Sequence, residues 1–160
     1  MTQTAQPLIG LGATLSIGTQ GGTPTYTAIN GVKKITPPKP KWGTEDVTTL
    51  ATPNTGRRKI KTLLDNGEVA FEGEYESADP GQAAMSAAFL TPSNSASGAA
   101  YPFKLVLPID LAGGQTTIGD TVTFNAMVTG WEMSDVEIDK AVTFSGSLTI
   151  DGPVTVTPGS

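Results

Sequence analysis

The chain has 160 residues and 16.5 kDa, 38% of them hydrophobic and 16% charged, which suits one compact domain spanning 1–160. It holds no Cys and no His, so thiol nucleophiles, disulfides, Cys/His zinc sites and Ser-His-Asp triads are excluded by inventory. The 24 Thr, 19 Gly and 12 Pro favour pleated sheet with many turns and disfavour a helical bundle. Residues 1–7 are polar and uncharged and the apolar Leu8-Ile9-Gly10-Leu11 run is short, so no secretory signal is expected and 1–7 reads as a flexible arm. Gly10-Leu11-Gly12 lacks the third glycine and the βαβ setting of a dinucleotide fingerprint and reads as a glycine-softened approach to a strand.

Alternation marks several strands with one buried face. Leu11, Ala13, Leu15 and Ile17 form the first row, and Asn30-Gly31 predicts a hairpin between Tyr26-Ile29 and Val32-Ile35. From Thr36 to Gly56 alternation stops and Pro37-Pro38-Lys39-Pro40 intervenes, predicting a long loop of a kind that is usually functional. A polyproline ligand there is less favoured than an extended exit from the preceding strand. Val69, Phe71, Gly73 and Tyr75 form a second row. A two-residue Asn66-Gly67 turn before it would set Lys61 opposite Glu72, Lys59 opposite Glu74 and Arg57 opposite Glu76.

Asp79-Pro80 reads as an N-cap and first helical residue, with a helix to Leu90 whose apolar face is Met85 and Phe89 and whose Ala84 and Ala88 allow close approach to a sheet. Ser93 to Ala100 is a small-residue loop. Three more rows follow: Phe103, Leu105, Leu107 and Ile109; Val122, Phe124, Ala126 and Val128; Val142, Phe144, Leu148 and Ile150. The tail 153–160 is expected to be an extended flexible arm.

Charge is segregated. Between positions 33 and 61, eight basic residues (Lys33, Lys34, Lys39, Lys41, Arg57, Arg58, Lys59, Lys61) face two acids, Glu45 and Asp46, for a net of +6. Residues 62–160 hold thirteen acids against Lys104 and Lys140, a net of −11. Trp42 is the only aromatic in the basic stretch and the acidic body repels phosphate, so direct nucleic-acid binding is disfavoured. Such a chain can instead attract copies of itself, basic segment against acidic body. The competing reading is that these charges solvate a loop or pair within one subunit.

No constellation carries catalysis or a metal. Asp135-Val136-Glu137-Ile138-Asp139 lacks the glycine and final glutamate of a calcium loop and reads as a solvated strand face. Glu68, Glu72, Glu74, Glu76 and Asp79 supply carboxylates for a glycosidase, but alternating glutamates on one strand point the same way, not across a cleft. The row Glu72, Glu74 and Glu76 is instead a candidate acidic wall of an aqueous channel past which DNA could move without sticking, with pairing to Lys59 and Lys61 as its competitor.

The order of features resembles the tail tube (major tail) proteins of long-tailed bacteriophages. The resemblance is carried by Ala28-Ile29-Asn30-Gly31-Val32, by Glu45-Asp46-Val47-Thr48-Thr49, by Leu64-Asp65-Asn66-Gly67-Glu68-Val69 leading to Tyr75, and by the run from Val142 to Gly152. These are loose patterns spread over most of the chain, from about Leu11 to Gly152. The resemblance implies a mainly β fold, a β-sandwich with one flanking helix, assembled as hexameric rings stacked into a tube through which the genome leaves the capsid. It implies an inter-subunit loop from 36 to 61, with Lys39, Lys41, Trp42, Glu45, Asp46, Arg57, Arg58, Lys59 and Lys61 as its contact residues, and the family's additional C-terminal domain is not expected here. Implied partners are further copies of the chain and tape measure, tail terminator and baseplate proteins, with DNA passing unbound, no membrane and no cofactor. The implied location is the virion tail, after assembly in the host cytoplasm. The alternative is a monomeric β-sandwich module binding carbohydrate or protein, with Trp42 and Trp131 as its only aromatic anchors.

Overall fold

A computed structural model describes residues 8–51, 56–94 and 98–160. The expected arm 1–7 lies outside the described residues, as do 52–55 of the expected long loop and 95–97 of the small-residue loop. Strands β1 (Thr14–Gly18), β2 (Tyr26–Ala28), β3 (Val32–Thr36), β4 (Lys41–Asp46), β5 (Lys59–Asp65) and β6 (Glu68–Glu74) precede helix α1 (Pro80–Phe89). Strands β7 (Ala100–Val106), β8 (Thr121–Met133) and β9 (Thr143–Thr157) follow it. Seven strands form one antiparallel sheet in the order β2-β1-β7-β8-β9-β6-β3, and β4 and β5 form a separate two-stranded ribbon.

β8 and β9 are long enough to belong to two layers. The first half of β8 pairs with β7 and with the end of β9, while its second half pairs with the start of β9, which in turn carries β6. Register breaks between Phe124 and Ala126 and between Val128 and Gly130 lie where the strand changes layer, as bulges do when a strand must bend. The sheet therefore folds over on itself. Its two ends are also tied near each other: only residues 29–31 separate β2 from β3 at opposite ends of the strand order, a span of at most about 14 Å. A groove of about 320 Å³ runs where Val32 and Ile35 of β3 face Leu105 and Leu107.

The rows converge on one core. β1 contributes Leu15 and Ile17, β6 Val69 and Phe71, β7 Phe103 and Leu105, β8 Phe124, Ala126 and Val128, and β9 Phe144 and Leu148. The Phe103 and Phe124 rings, cross-strand neighbours, stack 5.8 Å apart, an arrangement worth about 0.5–1.5 kcal/mol beyond area burial. Leu11, Tyr75 and Ile109 drop out of their rows and are exposed, because each lies beyond the end of its strand.

α1 begins as its sequence predicts, with Asp79 accepting the Gln82 amide at 2.8 Å and Pro80 in the first turn. Its buried side is Gly81, Gln82, Met85 and Ala88, and it packs on β8 and more lightly on β1 and β2. Phe89, expected on the apolar face, is exposed, because the face turned to the sheet runs through 81, 85 and 88. Gly81 lets the helix approach: a Cβ there would overlap the Ala28 carbonyl.

Three further expectations are corrected. Asn30-Gly31 turns the chain, with Gly31 at φ +77°, but makes no hairpin, since β2 pairs with β1 and β3 with β6. Asn66-Gly67 likewise turns without joining β5 to β6. Both edges of β6 are already taken, by β3 and β9, so β5 pairs with β4, and the pairs Lys61–Glu72, Lys59–Glu74 and Arg57–Glu76 do not form. The tail 153–160 is no loose arm, because β9 continues to Thr157 and the Ser160 backbone bonds residues 116–118.

Candidate functional site

The basic stretch builds an arm. From Thr36 the chain leaves the sheet, runs out along β4 and returns along β5, and every position of both strands is exposed. Among the described residues, β4 and β5 make substantial contact only with each other. The long loop expected here is thus a β-ribbon. Alternation failed to announce it because a ribbon exposed on both faces buries no row. An isolated two-stranded ribbon is marginal in water, so this one calls for a further surface to lie against.

Cross-strand register sorts its side chains. Trp42 lies opposite Leu64, Thr44 opposite Lys61, Glu45 opposite Ile60 and Asp46 opposite Lys59, with an irregularity at Gly43 where a Cβ would overlap the Thr62 hydroxyl. The Lys61 ammonium sits 5.4 Å from the centre of the Trp42 ring, a cation–π contact worth about 0.5–1 kcal/mol at an exposed site. Arg57 approaches Asp46 at 3.8 Å, an exposed pair of little energetic weight. Among the described residues, Lys39, Lys41, Arg58, Lys59 and Lys61 have no salt-bridge partner. Leu63, 86% exposed, and Ile60 add apolar surface that charge counting did not find.

Beyond β4 the ribbon is held by local bonds. The Val47 amide donates to the Arg58 carbonyl at 2.9 Å and the Arg58 amide to the Thr48 hydroxyl at 3.0 Å. Hydrogen bonds from the Thr48 side chain and amide hold the Asp46 carboxyl below its ordinary value of 3.8.

The acidic row lies elsewhere. Glu72 points outward from β6, with Glu74 half-buried at its end and Glu76 exposed beyond it. The partners of the first two are the lysines of β3: Lys34 lies 3.7 Å from Glu72, and Lys33 pairs with Glu74. The cations that neutralise the row come from the adjacent strand, not from the arm. Lys33 and Lys34 also charge the outer edge of β3, which discourages indiscriminate strand pairing.

Sequence reading missed a polar knot at the end of the sheet that holds Glu74. Asp79 accepts the Asn30 side-chain amide at 2.6 Å, and Gln82, 2% exposed, donates to the carbonyls of Asn30 and Glu74 and accepts the Glu76 amide. The knot ties the β2–β3 turn, the end of β6 and the start of α1 together. Next to it, 134–142 is a turn between β8 and β9, not the strand face expected of Asp135–Asp139. Val136 and Ile138 are exposed there among Asp135, Glu137 and Asp139, and Lys140 pairs with Glu137 at 2.8 Å.

Among the described residues no three acidic side chains group as a metal site. The two tryptophans lie apart, Trp42 on the arm and Trp131 stacked on Phe144 at 5.1 Å, so they form no joint aromatic platform.

No protein-family model and no curated protein matches the sequence. Solved structures match its fold over nearly the whole chain. A chain of the six-fold symmetrised anti-feeding prophage baseplate superposes with a TM-score of 0.71 at 11% identity, covering 97% of this chain and 98% of that one. A chain from the C6-symmetric tail of the empty gene transfer agent particle gives 0.67 at 15%, covering 94% and 99%. The SPP1 tail tube gives 0.65 at 17%, covering 95% and 80%. The chain has the fold shared by phage tail tube and contractile injection system tube proteins, which is mainly β with one helix.

Proposed function

We propose that this chain is a structural subunit that assembles with copies of itself into stacked rings forming the tube of a phage-like tail, and that it carries no catalytic site. The observation that supports this most directly is the exposed β4–β5 ribbon, a cationic and apolar arm whose two strands, among the described residues, make substantial contact only with each other. In this reading Lys39, Lys41, Trp42, Glu45, Asp46, Arg57, Arg58, Lys59 and Lys61 contact the neighbouring subunit, across a head-to-tail interface that repeats without limit unless rotation closes it. Rings of six follow the symmetry of the baseplate and tail assemblies whose chains share the fold.

The lumen would serve as a conduit for DNA during ejection, with Glu72, Glu74 and Glu76 on its wall. Lys33 and Lys34 neutralise two of the three, leaving a weakly negative surface that neither captures phosphate nor strongly repels it. Further partners in this role are tape measure, terminator and baseplate proteins, the location is the virion tail, and assembly takes place in the host cytoplasm.

Electron microscopy of concentrated purified protein tests the reading. The unaltered chain is expected to form tubes, and the variant carrying Arg57→Glu, Arg58→Glu, Lys59→Glu and Lys61→Glu to stay folded and solitary. Solitary particles from the unaltered chain overturn the tube, and normal tubes from the variant overturn the role of the arm.

A further inference from the structure

The sheet fixes where the arm starts and what lies at its far end. β3 runs antiparallel to β6, with Val32 opposite Gly73 and Thr36 opposite Ala70, so the chain enters the arm at the Glu68 end of β6 and returns to that same end. On its other side β6 pairs with β9, Glu68 opposite Thr149 and Glu74 opposite Thr143. The β8–β9 turn, which closes on Thr143 through the Ser134 amide and hydroxyl, therefore sits at the Glu74 end. The seven residues of β6, at about 3.3 Å each, set the root of the arm and the turn some 20 Å apart at opposite ends of one sheet.

The two ends are chemical complements. The arm offers Arg58, Lys59 and Lys61 without salt-bridge partners among the described residues, interleaved with Trp42, Ile60 and Leu63. The turn offers Asp135, Glu137 and Asp139 interleaved with Val136 and with Ile138, which is 100% exposed. Val136, 82% exposed, and Ile138 at the tip of a charged turn are aliphatic side chains whose burial against a partner is favoured over exposure to water.

Resting on the reading of the arm given above, we infer that its receptor is the β8–β9 turn of a second copy, Val136 and Ile138 packing against Ile60 and Leu63 while Asp135, Glu137 and Asp139 meet Arg58, Lys59 and Lys61. Because the arm is rooted at the end of the sheet opposite its own turn, and β4 and β5 make no substantial contact with β8 or β9 among the described residues, the contact joins different copies, and each copy bound offers a fresh arm and a fresh turn.

The cysteine-free chain makes the test direct. An Ile60→Cys chain and a mass-tagged Ile138→Cys chain, both at exposed positions, are mixed under mild oxidation and the disulfide-linked dimers are counted. The crossed 60–138 dimer is expected to exceed either homodimer severalfold, and a crossed dimer at no more than its statistical share overturns the assignment. In parallel, Asp135→Lys with Glu137→Lys and Asp139→Lys is expected to abolish tubes, and combining it with the arm reversal to restore them. Tubes from the unaltered chain without the crossed dimer place the receptor elsewhere and leave the tube reading standing; no tubes and no crossed dimer remove both. Circular dichroism of each variant checks that the subunit remains folded.

Discussion

Gln82→Met removes the knot's central amide while nearly conserving volume, so it reads hydrogen bonding without opening a cavity. Three bonds are lost: the Glu76 amide donating to Oε1 at 3.0 Å, and Nε2 donating to the carbonyls of Asn30 at 2.9 Å and Glu74 at 3.0 Å. Glu76 is exposed and its amide can return to water, whereas the two carbonyls are part-buried under a side chain only 2% exposed. An unpaired polar group costs roughly 1–3 kcal/mol, and about 1–2 kcal/mol for a carbonyl that is only part-buried, so two such groups and little from the third give about 2–4 kcal/mol. A domain stable by about 5–15 kcal/mol survives that loss. Urea unfolding followed by Trp131 fluorescence in a Trp42→Phe background is expected to show the lower midpoint with an unchanged slope. Melting should fall by roughly 5–15 °C. Gln82→Glu keeps the acceptor for Glu76 but sets a carboxylate against two carbonyl oxygens, and is expected to be at least as damaging. A loss below about 1 kcal/mol for Gln82→Met would refute the claim that these bonds hold the helix to the turn.

Gly81→Ala gains about 1 kcal/mol of helix propensity but drives its Cβ into the Ala28 carbonyl, at a cost of about 1–3 kcal/mol, so melting is expected to fall; a rise would show that helix and β2 are not in close approach. Asp46, whose carboxyl is held below 3.8 by the Thr48 hydroxyl and amide, favours the ordered arm while ionised. Its contribution is present above pH 3.8 and lost as pH falls through the depressed folded value. The Thr48 amide resonance is therefore expected to titrate with a midpoint below 3.8 and to lose that titration in Asp46→Asn, and a midpoint at or above 3.8 contradicts the assigned bonds. Added salt is expected to slow assembly, measured by light scattering, since exposed charges are screened beyond about 8–10 Å; a rate independent of salt would remove electrostatics from the mechanism.

Much of the fold was legible because burial writes a period. β6 alternates exposed and buried at every position from Glu68 to Gly73, and Val69 and Phe71 announced it. The helix was legible from Asp79 and Pro80, whose chemistry is local. What failed was pairing. Asn30-Gly31 and Asn66-Gly67 have the composition of hairpin turns, but turn residues state only that the chain reverses, and partner choice depends on which edges distant strands leave open. The arm's cationic side was legible as a charge imbalance between positions 33 and 61, while its ribbon form was not, because it buries nothing within the chain. Gln82 carried no signal at all: its three partners come from the β2–β3 turn and the end of β6, and only the folded chain brings them together.

With the root of the arm and the β8–β9 turn at opposite ends of one sheet, a filament joined arm to turn as proposed would have a direction. One tip would bristle with unsatisfied cationic fingers and the other would present a bare acidic lip, so no single cap could fit both. A factor that starts growth and a factor that stops it would have to be chemical opposites, and length could then be set independently at each end.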